Sequence, residues 1–170
     1  MAIDVSGKPP LRHVTTYTSS GNFIVPLGTN LIFVTIHGAG SGGQAAHGNS
    51  YGGSGTAGGA AVAALQVSGG STCAITIGAG GAGGAGGGQG AQGNAGGTTD
   101  FDGRLQFTGA PGGSASGRTT LPSPNPGANT TVSTGTITSQ NTGGGAGGSG
   151  ASSWGAAGQS GGNGAVFIYA

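Results

Sequence analysis

Asp100 and Asp102 bracket Phe101 in TTDFDGR, and with Asp4 they are the only carboxylate side chains in the sequence. Two paired carboxylates are what a glycosidase uses, and Asp-x-Asp spacing also suits a calcium ion. Calcium needs more oxygen ligands than one further aspartate adds, and Asp-Gly is a turn signal. The stretch therefore reads as a turn with solvated aspartates. His13, His37 and His47 are far apart in the chain, and a zinc site would need them to converge with Cys73 as the sole thiolate. His37 ends an apolar strand and reads as structural. Cys73, in the alternating stretch TCAITIG, reads as a small buried hydrophobe. A single cysteine leaves no disulfide within the chain. The serines have no nucleophile elbow around them. GxGxxG matches recur throughout, but no GK[ST] or helix follows them, so they carry no phosphate-binding signal. The residues predict no catalytic set, no metal site and no cofactor.

The composition narrows the partners in the same direction. The 170 residues fit one domain, and 45 of them are glycine. Lys8, Arg12, Arg104 and Arg118 oppose the three aspartates for a net charge of +1. Disordered chains stay soluble through high charge and low hydrophobicity. Here charged residues are 4% and hydrophobic residues 34%, which predicts an ordered, compact object or else an aggregating one. Four scattered basic residues make no nucleic-acid footprint and no attraction to anionic membranes. No run of 18 apolar residues predicts a membrane span, and MAIDVSGKPP has no apolar signal core.

The residues whose spacing does carry information are the glycines. In GAGGAGGAGGGQGAQGNAGG, Gly78, Gly81, Gly84, Gly87, Gly90, Gly93 and Gly96 keep a period of three. The block 143–164 repeats it at Gly155, Gly158, Gly161 and Gly164, and the block 38–59 at Gly52, Gly55 and Gly58, with a break at Ala46 and Asn49. A helix with three residues per turn places every third residue on one edge, as the polyproline-II type does. Such a helix makes no internal hydrogen bonds, so its backbone groups must pair with neighbouring segments. Glycine every third residue lets those neighbours approach. The expected fold is mainly β, with short antiparallel strands framing a packed bundle of polyglycine-II segments and no significant α-helix. The block 78–97 is expected to form one rod. Collagen follows the same arithmetic, but these repeats lack its proline enrichment, and a flexible linker has no reason to hold register.

Strands are expected at 13–19, 22–26, 30–38, 60–67, 71–78, 104–109 and 165–170, which are rich in β-branched and aromatic residues. Both faces of LIFVTIH are apolar, predicting a central strand covered on both sides. PLGTN and SGGS have turn chemistry. Residues 117–142 break the pattern, with Pro122, Pro124 and Pro126 followed by TTVSTGTITS, which alternates as a hairpin about Gly135 would. This segment is expected to be a surface insertion. Tyr51 and Trp154 interrupt glycine blocks, where they could contact a ligand or cap the bundle.

The order of motifs resembles a known family. Phe23, Val25, Pro26 and Gly28 fit F-x-V-P-x-G, and Ile75, Ile77, Gly78, Gly80 and Gly81 fit I-x-V-G-x-G-G. Gly96, Gly97, Thr98, Thr99 and Phe101 fit GG-T-[ST]-x-F, and Gly164, Val166, Ile168 and Tyr169 fit the closing strand. Over 21–170 the chain is similar to the glycine-rich domain of tailed-bacteriophage tail-fibre and tail-tip proteins, with Gly69-Gly70 where that family has Pro-Gly. The resemblance implies a virion protein, made in the host cytoplasm, that recognises a bacterial glycan or outer-membrane protein and does no catalysis. It implies a homotrimer, or a monomer capping a trimer, with residues 1–20 docking on other tail or fibre proteins. The expected receptor contacts are the loop 44–51, with His47 and Tyr51, the insertion, with Arg118, Leu121, Asn125 and Asn129, and Trp154. A purely structural virion protein of the capsid, head fibre or baseplate is the alternative.

Overall fold

The computed structural model describes residues 13–46, 52–86, 91–110, 130–132, 136–141 and 157–170. They form ten strands: β1 (His13–Tyr17), β2 (Gly21–Ile24), β3 (Leu31–His37), β4 (Ala60–Gln66), β5 (Thr72–Thr76), β6 (Thr99–Phe101), β7 (Leu105–Phe107), β8 (Thr130–Val132), β9 (Thr136–Asn141) and β10 (Ala165–Tyr169). No helix occurs among the described residues, so none there is long and apolar enough to cross a membrane. The strands build two antiparallel sheets, ordered β1-β10-β3-β4-β9 and β2-β5-β6-β7-β8. Each has four strands with described side chains, closed at one edge by a fifth, β9 or β8.

Alternation decides what lies between the sheets. Ile32, Val34 and Ile36 of β3, Ala61, Ala63 and Leu65 of β4, and Val166 and Ile168 of β10 point inward from the first sheet. Phe23, Cys73, Ile75, Phe101, Leu105 and Phe107 meet them from the second. The turns have the geometry their residues demand. Thr29 donates to the Pro26 carbonyl with Gly28 at φ 84°, and Ser71 to Ser68 with Gly70 at φ 83°. Both carry the positive φ that a type II turn requires at its third residue. Asp102 and Gly103, at φ 56° and 64°, join β6 to β7 with the two positive φ angles of a type I′ turn.

Three expectations are corrected. β3 is central, between β10 and β4, but only one face is fully covered: Phe33, Thr35 and His37 on the other are half-buried. Residues 130–139 do not form a hairpin. β8 pairs with β7 in one sheet and β9 with β4 in the other, so the two strands part to separate edges. TTDF, expected as a turn, contains strand β6, and the turn comes one step later.

Candidate functional site

Beyond the ends of β3, β4, β5, β6 and β10 the chain continues as glycine-rich segments, and the register of the strand pairs continues with it. His37 faces Ala60 in the sheet, and past them Gly38, Ser41 and Gln44 donate to the carbonyls of Gly59, Thr56 and Gly53. Ala165 faces His37, and past them Gly40 and Gly43 donate to Gly162 and Gln159. Thr76 faces Asp100, and past them Gly97 and Asn94 donate to Ala79 and Ala82. The two halves of 78–97 therefore run antiparallel. The stretch is two segments folded back on each other rather than the single rod its unbroken glycine register predicts.

Segment 38–46 is the axis, and every residue in it is buried. Its N–H groups are dealt out in threes. Residues 38, 41 and 44 bond to 52–59, residues 40 and 43 to 157–164, and Gly42 and Ala45 to Asn94 and Ala91. Its carbonyls at Gly40 and Gly43 accept from Gly81 and Gly84. Successive donors thus point to different neighbours and return after three residues, a rhythm that neither a strand nor an α-helix has. Burial along 78–86 has the same period: Gly78, Gly81 and Gly84 are buried, Ala79, Ala82 and Ala85 exposed, and Gly80 and Gly83 between.

The glycines are required by contact. Among the described glycines only Gly28, Gly70 and Gly103 have positive φ, so those of the bundle sit where any L-residue's backbone could. What excludes a side chain is the neighbouring backbone. A Cβ at Gly81 would press on the carbonyl of Asn94, one at Gly84 on Ala91, and one at Gly42 on Ala82. Gly80 and Gly83 meet Gly161 and Gly158 in the same way. Of the seven glycines expected to be structural, Gly78, Gly81, Gly84, Gly93 and Gly96 all abut backbone carbonyls, while Gly87 and Gly90 lie outside the described residues. Gly42, Gly80 and Gly83 do equal duty but fall off the registers that the sequence displays.

Side chains complete the network where backbone acceptors run out. Ser41 Oγ accepts from Thr56 N–H at 2.7 Å, Gln44 Oε1 from Gly53 at 3.3 Å, and Asn163 Oδ1 from Gly80 at 2.9 Å. Thr99 Oγ1, fully buried, accepts from Gly78 N–H at 3.2 Å, where β5 passes into the bundle. Thr99→Val keeps the shape and removes the acceptor. It is expected to cost about 1–3 kcal/mol in denaturant unfolding and to speed hydrogen exchange at the Gly78 amide; unchanged exchange there would mean that Thr99 does not hold the junction.

The polar residues singled out in the sequence have structural partners. Asp100 Oδ2 accepts from Gly103 at 2.9 Å and Asp102 Oδ1 from Ala74 at 3.2 Å, so the pair shapes the β6–β7 turn. Asp100 Oδ1 is buried with no hydrogen-bond partner among the described residues, and nothing in the structure explains it. No three His, Cys, Asp or Glu side chains among the described residues are grouped to hold a metal ion. Cys73 is buried opposite Phe23, and burial, reinforced by the Asp102 carboxylate, pushes its thiol above the usual range. His37 packs edge-on to Phe167 at 5.3 Å.

The expected receptor contacts fare differently. Gln44, Ala45 and Ala46, part of the expected contact loop 44–51, are buried in the bundle axis and cannot meet a receptor. His47, Tyr51, Arg118, Leu121, Asn125, Asn129 and Trp154 lie outside the described residues. Residues 13–17 of the expected docking segment 1–20 are strand β1, paired with β10. Residues 130–132 and 136–141 of the expected insertion are strands of the two sheets.

No curated protein matches the chain at a significant level. The family model for a glycine-rich domain matches residues 15–139, more than half of the sequence, from within β1 to within β9, and the chain belongs to that glycine-rich domain family.

Proposed function

We propose that the protein is a bacteriophage virion component at a tail fibre or tail tip that recognises a receptor on the host surface. Its glycine segments act as polyglycine-II helices packed into a rigid stem. The bundle is the observation that carries this reading. Five described segments are joined backbone to backbone, and donors and burial both repeat every three residues, as a helix with three residues per turn requires. The stem is rooted in the sandwich at one end. At the other, Ala45 bonds to Ala91, Gln44 to Gly53, Gly84 to Gly43 and Gly158 to Gly84, so all five segments come level. The connections 47–51 and 87–90, and the chain entering at Ala157, start from that level. Loops set on a rigid scaffold are where recognition is usually placed. His47, Tyr51 and Trp154 belong to these connections, and residues 117–129 to a separate one that follows β7.

The resemblance adds the rest: an extracellular virion location, a homotrimer, docking through the N-terminal segment, and action by binding rather than catalysis, with no cofactor. The test is adsorption. Because β8 and β9 belong to the sheets, the excision is limited to 117–129, and a second variant carries alanine at His47, Tyr51 and Trp154. Virions that assemble normally but adsorb at least about tenfold more slowly are expected from one or both. Normal adsorption by both rejects receptor contact through these connections, and failed assembly favours the alternative of a structural capsid, head-fibre or baseplate protein.

A further inference from the structure

We infer that the receptor is an uncharged polysaccharide, bound along the flank of the glycine bundle; this rests on the receptor-binding reading above. No Asp, Glu, Lys or Arg occurs from residue 13 to residue 99 or after Arg118, so no segment of the bundle carries one. Segment 78–86 lies between 91–97, through Asn94 N–H to Ala82, and 157–164, through Gly158 and Gly161 to Gly84 and Gly81. Ala82, Gln92, Asn94, Gln159 and Ser160 are exposed along these three segments, a methyl group, three amides and a hydroxyl.

The chemistry selects the partner by what it can satisfy. An anionic polymer would lose hydration and gain no counter-charge, a cost that unpaired ions do not recover on burial. A typical protein surface brings the same problem, since about a quarter of protein residues are charged. A neutral polysaccharide brings hydroxyl groups, which amides and a serine can both donate to and accept from, and C–H faces that lie against methyl groups. Such binding has no counterion-release component.

The experiment uses the full chain, immobilised. The probes are the polysaccharides of the host envelope, separated on an anion exchanger into neutral and anionic fractions. The neutral fraction is expected to be retained, with affinity changing about twofold or less between about 50 mM and 200 mM NaCl, where a contact neutralising several phosphates would lose about 10³-fold or more. Ala82→Glu, which places a charge on an exposed position, is expected to weaken retention at least about fivefold while the melting curve is unchanged. Retention of the anionic fraction, steep salt dependence, or undiminished binding by Ala82→Glu overturns the inference. If neither fraction is retained while virions still require the protein to adsorb, the receptor reading stands and the polysaccharide inference falls. If virions lacking the protein adsorb normally, both fall.

Discussion

Gly84→Val yields no cooperatively folded protein. Gly84 is held from three sides: its N–H donates to Gly43 at 2.8 Å, its carbonyl accepts from Gly158 at 2.9 Å, and a Cβ would strike the Ala91 carbonyl and the Ala45 nitrogen. In a side-chain core an extra methylene costs about 1–3 kcal/mol because neighbours repack. Here the neighbours are backbone, and moving them breaks the hydrogen bonds that hold four segments together. A branched side chain should exceed about 4–5 kcal/mol, the range reserved for exceptional lesions, against a total of about 5–15 kcal/mol for a typical domain. Ala82→Val, on the exposed edge of the same segment, should stay near the small effects of surface changes, about 0.5 kcal/mol. Cys73 supplies the readout. It is 2% exposed with its thiol pushed upward, so a thiolate-selective reagent at neutral pH should label it only when the sandwich opens. A Gly84→Val protein with a sharp melt and a protected Cys73 would show that the close approach of backbones is not what the glycines serve.

The three-residue period was legible because glycine is required at contact edges and absent from open ones, which is why GAG repeats with alanine outward. Direction was not legible. A rod with three residues per turn has the same glycine spacing whichever way it runs, so the return between Gly86 and Ala91 leaves no mark on the register. Gln44 was expected in the contact loop 44–51 and Ser41 within the first glycine block, yet each is buried to supply an acceptor that the facing segment needs. The strands with strong alternation were readable. β6 was not, because three residues in a glycine-rich setting show no period, and its place follows from the hairpin it terminates. The pattern in 130–139 signalled strands correctly, but partners are chosen by the open edges of two sheets, which no local pattern encodes. The receptor residues fall on chain connections whose composition says little about shape, whereas Gln44, Ala45 and Ala46 of 44–51 are buried as part of the bundle axis.

Where sandwich meets bundle, the ring of Phe107 and the absent side chain of Gly59 should behave as one unit. Phe107 is 1% exposed, and a Cβ at Gly59 would meet ring atoms of Phe107 as its three nearest neighbours; Gly38 also abuts the ring. Phe107→Ala is expected to cost about 3–5 kcal/mol in denaturant unfolding. Gly59→Ala alone should cost about 1–3 kcal/mol from overpacking. In the Phe107→Ala background the added methyl enters vacated space, and because Gly59 has no positive φ, alanine should instead recover about 0.4–1 kcal/mol by restricting the unfolded chain. The cycle should therefore show coupling of at least about 1.5 kcal/mol, whereas independent sites add to within about 0.5 kcal/mol. Additive effects would place the reason for Gly59 in the neighbouring backbone. Strong coupling would show that one glycine–aromatic contact lets a side-chain core pass into a backbone core without a gap.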